Sequence, residues 1–129
     1  MKIYVARHGE TSWNARNIIC GRTDIPLNER GKEQAMLLAE RLAGVSIDRI
    51  IASPMIRARQ TAETVAEKHG LPIMFDERLI EQNFGIYEGK DRKDPGYLAN
   101  KRMFAYRYPG GESQMDVAHR VYGLVEELR

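Results

Sequence analysis

The chain has a single cysteine, Cys20, in 129 residues. One thiol excludes an intramolecular disulfide and a cysteine-built metal centre, and makes a reducing, cytoplasmic setting the default expectation. No apolar run approaches the ~20 residues that a membrane-spanning helix needs. The N-terminus lacks the signal-peptide pattern and enters an apolar stretch at once. Charge of one sign is also scarce: 20 Lys+Arg face 18 Asp+Glu, a net of +2. Neither nucleic acid nor a membrane surface is therefore expected as a partner. Internal repeats and low-complexity segments are missing, and there are only three histidines, His8, His69 and His119. What remains is 43% hydrophobic and 29% charged, a globular composition. The length suits one domain, 1–129, whose folding removes roughly two thirds of the unfolded surface from water.

Lys2-Ile3-Tyr4-Val5-Ala6 reads as a short buried strand that releases the chain into Arg7-His8-Gly9-Glu10-Thr11. A helical turn is expected within 11–17 and a loop over 20–28, broken by Gly21, Asp24 and Pro26. Asn28 caps a helix that runs to about Ala43 on the stripe Ala35, Leu38, Ala39 and Leu42, with Gly44 ending it. A strand over 48–52 follows. Ser53-Pro54 then reads as N-cap plus first-turn proline for a helix to about His69, burying Ala58, Ala62, Val65 and Ala66 and stopping at Gly70. A strand over 72–75 completes β-α-β-α-β, the pattern of a parallel sheet with helical crossovers. Residues 76–91 read as loop or short extended pieces, and a short helix is expected near 97–105. Ser113 with Asp116 resembles a capping box, opening a helix with the stripe Val117, Val121, Leu124, Val125 and Leu128.

Chemistry concentrates at three places. A strand that ends in Arg7-His8-Gly9 puts a cation, a nucleophile and an unhindered backbone at the carboxyl edge of a sheet, where open α/β folds bind ligands. Thr11 and Asn14 add hydrogen-bonding groups nearby. Arg57 lies in the first turn of its helix, where a cation opposes the helix dipole unless an anion is held in front of it. Arg59, two residues on, points elsewhere and is given a structural role. Glu81 follows the apolar pair Leu79-Ile80 and enters a glycine-bearing loop, a setting that suits a general acid beside a bound dianion, although spacing alone favours an ordinary surface glutamate.

These motifs together resemble the histidine phosphatase, or phosphoglycerate mutase-like, superfamily. Arg7-His8-Gly9-Glu10-Thr11 with Asn14 is similar to its opening motif, followed by Gly21 to Asp24, Pro26-Leu27 and Gly31 to Gln34-Ala35. Ser53-Pro54-Met55-Ile56-Arg57-Ala58-Arg59-Gln60-Thr61-Ala62 resembles the second motif, Leu79-Ile80-Glu81 with Phe84-Gly85 and Glu88-Gly89 the acid-donor segment, and Pro109-Gly110-Gly111-Glu112-Ser113 a further marker. The resemblance implies a three-layer α/β/α fold with a mostly parallel sheet. It implies His8 as phosphoryl acceptor, with Arg7, Asn14 and Arg57 holding phosphoryl oxygens, Glu81 as acid and base, and Thr11 and Gly21 as substrate contacts. The substrate would be a small-molecule phosphate ester, with no metal or organic cofactor. Residues 82–108, 27 positions between Glu81 and Pro109, form a compact middle that resembles the small phosphatases more than the mutases.

One departure bears on activity. The family carries a second histidine on a Ser/Cys-His-Gly motif after a later strand, and neither His69 nor His119 has that motif. The chain is therefore expected to lack the C-terminal strands of its family and to be a piece of a longer protein. Two alternatives stand beside this: a short form in which a second copy covers an open sheet edge, and a non-catalytic phosphate-binding domain.

Overall fold

Asn28 sets the first long helix by accepting the Gly31 N–H on its side chain at 2.8 Å. Loss of such a cap costs about 1 kcal/mol. In the computed structural model, which describes all 129 residues, the elements are α1 (Ser12–Ala15), α2 (Glu29–Leu42), β1 (Ile50–Ala52), α3 (Ile56–His69), β2 (Ile73–Phe75), α4 (Pro95–Asn100) and α5 (Gln114–Glu127). Single 3-10 turns lie at Glu77–Leu79 and Gly85–Tyr87. No helix is long and apolar enough to cross a membrane. The chain divides into two compact units: Met1–Ser12 with Asp24–Glu77, and Trp13–Thr23 with Arg78–Arg129.

The first unit is the α/β one. β1 and β2 pair in parallel, Ile50 with Ile73 and Ala52 with Phe75, and α3 makes the crossover between them, the connection that parallel strands require. α2 packs on α3 and buries Ala35 and Ala39. α3 stops at Gly70 in the left-handed region, φ 61°, where glycine carries no Cβ penalty. His69, in the last turn, places Nδ1 3.0 Å from the Val65 carbonyl and Nε2 3.1 Å from the Val45 carbonyl. Those two acceptors raise its pKa, the Val65 carbonyl most.

Four expectations are corrected here. Residues 2–6 form no strand; Ile3 and Tyr4 are exposed, and Val5 is 92% exposed. A strand exists only through a partner's ladder bonds, and the sheet holds β1 and β2 alone. Gly44 is not left-handed; α2 ends at Ala43 in right-handed geometry. Ser53 does not cap α3. Its Oγ accepts the Met55 N–H at 3.3 Å in a turn, the N-cap is Met55 with no side-chain bond, and Asp24 Oδ1 takes the Ile56 N–H at 2.8 Å. Finally, the buried face of α3 is Arg57, Thr61, Val65 and Ala66, with Ala58 and Ala62 only half buried. Arg59 stacks its guanidinium 4.8 Å from the Phe75 ring centroid, the structural role expected of it.

The second unit is held by segments far apart in sequence. Residues 17–19 run antiparallel to 89–92: Ile19 N–H donates to the Lys90 carbonyl at 2.8 Å, Gly89 N–H to that of Ile19 at 2.9 Å and Arg92 N–H to that of Asn17 at 3.0 Å. Its core is Ile19 with Tyr97 and Tyr108, flanked by Phe84, Tyr87 and Tyr106. Tyr97 and Tyr108 stack at 5.6 Å and Tyr87 meets Tyr108 edge-on at 5.4 Å, offset and edge geometries that satisfy the ring quadrupoles. Burial pushes both the Tyr97 and the Tyr108 phenol pKa up. α4 begins earlier than expected, because Asp94 accepts the Gly96 and Tyr97 N–H groups at 2.9 and 3.1 Å and Pro95 fills the first turn. The capping box of α5 forms as expected: Asp116 N–H donates to Ser113 Oγ at 3.0 Å and Ser113 N–H to Asp116 Oδ2 at 2.9 Å.

Candidate active site

Arg7, His8, Thr11 and Arg57 belong to the first unit; Asn14, Gly21 and Glu81 belong to the second. In the first unit the backbone around His8 is fixed from two sides. Glycine meets glycine where Gly9 packs on Gly31: a Cβ on either would overlap backbone atoms of the other segment. Gly9 N–H donates to Thr61 Oγ1 at 3.0 Å, and that hydroxyl donates to the Arg57 carbonyl at 2.8 Å. Thr61 therefore ties the His8 loop to the turn of α3 that carries Arg57. Glu10 is held in the same way, its N–H on Gln34 Oε1 at 2.9 Å and its carboxylate on the Asn28 amide at 2.9 Å.

His8 is half buried. Its Nδ1 lies 2.6 Å from the Gly9 carbonyl oxygen. A carbonyl only accepts, so Nδ1 carries the proton and the lone pair of the neutral ring is on Nε2. Arg57 is 2% exposed and Arg7 is on the surface. Thr11 is 0% exposed and pairs with Leu27 in an isolated antiparallel bridge.

In the second unit Asn14 is half buried on α1. Gly21 serves the fold: its N–H donates to both oxygens of the Glu88 carboxylate, at 2.6 and 2.8 Å, and a Cβ there would overlap the Gln82 carbonyl. Arg22 and Thr23 add N–H groups to the same carboxylate at 3.3 and 3.4 Å. The Gly21 N–H is thereby committed to the Glu88 carboxylate. Glu81 is exposed, and its carboxylate accepts the Gln82 N–H at 2.8 Å. Its carbonyl accepts from Arg22 Nε at 3.2 Å and Arg120 Nη2 at 3.3 Å.

Those arginines meet at Glu112, which in the sequence stands out only as part of the Pro109–Ser113 motif. Arg22 Nη2 lies 3.2 Å from Glu112 Oε2, and Arg120 reaches the two oxygens through Nη2 at 3.2 Å and Nε at 3.1 Å. Asn83 N–H donates to the same carboxylate at 2.8 Å, and Gln82 Nε2 to the Glu112 carbonyl at 2.9 Å. Burial pushes the Glu112 pKa up, but the bonds from Arg120, Asn83 and Arg22 outweigh it and leave it below the usual carboxylate value. The signal available in sequence was the Gly110-Gly111 pair: the Asn83 carbonyl leaves no room for a Cβ on Gly111, which lets Glu112 approach.

Comparisons with known proteins give the family of the chain. The model of the histidine phosphatase superfamily (branch 1) matches residues 3–129. The probable phosphoglycerate mutase GpmB of Salmonella choleraesuis is 38% identical over 97% of this chain, which spans 61% of that relative's length. A mycobacterial glucosyl-3-phosphoglycerate phosphatase, solved with VO3, superposes with a TM-score of 0.88 at 35% identity over 94% of this chain and 61% of its own. A structure described as mycobacterial hydrolase 1 superposes with a TM-score of 0.86 at 36% identity over 94% and 61% of the two chains.

Proposed function

The chain belongs to the histidine phosphatase superfamily, branch 1, and on that premise we propose that it hydrolyses a small-molecule phosphomonoester through a phosphohistidine on His8. The observation that carries the proposal is the 2.6 Å contact of His8 Nδ1 with the Gly9 carbonyl, which puts the lone pair of the neutral ring on Nε2, the atom assigned the attack. Nε2 bonds to phosphorus as the ester P–O bond breaks, and Glu81, entering as the carboxylic acid, gives its proton to the departing oxygen. Water then attacks phosphorus and gives its proton to the Glu81 carboxylate. The P–N bond breaks, releasing inorganic phosphate and neutral His8. Arg7, Arg57 and Asn14 are assigned to the phosphoryl oxygens, where charge spreads in the transition state and planar guanidiniums can follow it. The scheme calls for no metal and no organic cofactor.

Phosphatase is favoured over mutase by the 27-residue span between Glu81 and Pro109. The 38% identity to a probable phosphoglycerate mutase favours the second reading, transfer of the phosphoryl group to a hydroxy acid. The test is phosphate release from an aryl phosphate, with His8→Ala alongside and acid-quenched protein probed for phosphohistidine. Release by the wild type that His8→Ala abolishes supports hydrolysis. Phosphohistidine that is discharged only by an added hydroxy acid points to transfer. Equal, near-background rates and no phosphohistidine leave a phosphate-holding domain and overturn the catalytic reading.

A further inference from the structure

We propose that Glu112 is a positioning residue for Glu81, acting through the guanidiniums of Arg22 and Arg120. The inference rests on the phosphatase reading above, in which Glu81 transfers the proton.

An exposed glutamate on a loop has many rotamers and a mobile backbone, and proton transfer tolerates little of either. Here both freedoms are restricted. The carboxylate folds onto the following amide, Gln82 N–H to Glu81 Oε1 at 2.8 Å, so its direction is set by the peptide between residues 81 and 82. That peptide is in turn held by its carbonyl, which takes two guanidinium N–H groups at 3.2 and 3.3 Å. Both guanidiniums are oriented by one carboxylate, Glu112. The residues on the far side are fixed from the same place, Gln82 by the Glu112 carbonyl and Asn83 by the Glu112 carboxylate.

The arrangement has a feature that ordinary loop anchoring does not require. Arg22 and Arg120 each bond Glu112 and the Glu81 carbonyl at once, so the loop reads the charge of Glu112 through planar forks. A neutral isostere keeps the shape and loses the orientation. An arginine fork cannot be replaced by the single point charge of lysine. Misplacement of a reacting group by about 1 Å costs up to about 10²-fold.

The experiment uses the 129-residue chain with two substrates: an aryl phosphate, whose acidic phenol leaves with little help, and an alkyl phosphate, whose leaving oxygen needs the proton. Glu112→Gln and Arg120→Lys are each expected to lower the ratio of alkyl to aryl turnover by about tenfold, within the range spanned by general acid catalysis. Glu112→Gln added to Glu81→Gln should lower that ratio no further, since residues acting through one another are not additive. Amide exchange is measured beside it, and the Asn83 N–H is expected to lose protection in Glu112→Gln. A structural role alone would lower both substrates equally and add to Glu81→Gln; either result overturns the inference while leaving hydrolysis by His8 intact. Unchanged Asn83 exchange overturns it as well. A wild-type chain that releases phosphate no faster than His8→Ala overturns the parent reading, and the positioning role with it.

Discussion

Thr61→Val removes one hydroxyl and almost nothing else. Thr61 is 6% exposed, and valine has nearly the same shape. Two hydrogen bonds go: the one that Gly9 N–H gives and the one that the Arg57 carbonyl receives. The carbonyl keeps its place in the α3 ladder, but Gly9 is buried and its N–H is left without this acceptor. An orphaned buried donor costs about 1–3 kcal/mol. Exchange of a buried hydroxyl for a methyl returns at most about 0.8 kcal/mol, so a net loss of about 1–2 kcal/mol is expected. In urea this lowers the midpoint without changing the slope, and in heat it lowers Tm by about 4–8 °C. The companion variant Thr61→Ser keeps both bonds and loses one methyl. It should retain slow exchange of the Gly9 amide, which Thr61→Val loses. Because the same tie sets the Arg7-His8-Gly9 loop against α3, weaker binding of inorganic phosphate should accompany the valine variant alone. A Thr61→Val chain as stable as wild type, with the Gly9 amide still protected, would refute this account of the His8 loop.

Three further outcomes are expected. The folded pKa of His69 lies above 6.5, so its contribution is complete below the unfolded pKa and is lost as pH rises through the folded one. The stability gap between wild type and His69→Gln, from urea midpoints, should be wide near about pH 5 and narrow by about pH 9; a gap that widens with pH contradicts the assignment. Asp116 is held far below its usual 3.8 by Arg107, with help from the Ser113 N–H, so Asp116→Asn should destabilise at neutral pH and match wild type only in strong acid, as followed by circular dichroism of an acid titration. Gly31→Ala should cost about 1–3 kcal/mol or more through overlap with the Glu10 backbone. That exceeds the ~1 kcal/mol that alanine gains in a helix, and soluble yield and urea midpoint check it.

Local chemistry was legible in the sequence. Asn28, Gly70 and the Ser113–Asp116 box do what their residue types dictate within four positions of themselves. The β-α-β pattern gave the parallel pair of β1 and β2. The failures were non-local. Ser53-Pro54 has the form of a helix start, but the oxygen that satisfies the first N–H of α3 comes from Asp24, 32 residues away. Ala58 and Ala62 fit a buried stripe by periodicity, yet a small side chain leaves little to bury and the face turned to Arg57 and Thr61. Residues 2–6 have the composition of a strand, but composition cannot supply the neighbouring strand that makes one. Asp94-Pro95 is different: the cap of α4 is local, an Asp side chain on the Gly96 and Tyr97 N–H groups followed by a first-turn proline. His8, Arg57 and Glu81 could be proposed from sequence because they sit in motifs. Glu112 as a hub was not, because its partners come from residues 22, 83 and 120.

The bond from Ile56 N–H to Asp24 also concerns the order in which the protein assembles. Met55 offers α3 no side-chain cap, so an excised peptide covering residues 53–70 would begin with a frayed first turn. In the intact chain that turn matures only when a loop of 32 residues has closed, an entropic cost that the local sequence cannot avoid. The turn bearing Arg57 is therefore expected to form after the turn at Val65 and Ala66, an order that φ-values at Asp24 and Val65 would check. An anion captured by Arg57 would report on a finished fold, and slow its unfolding more than it hastens its folding.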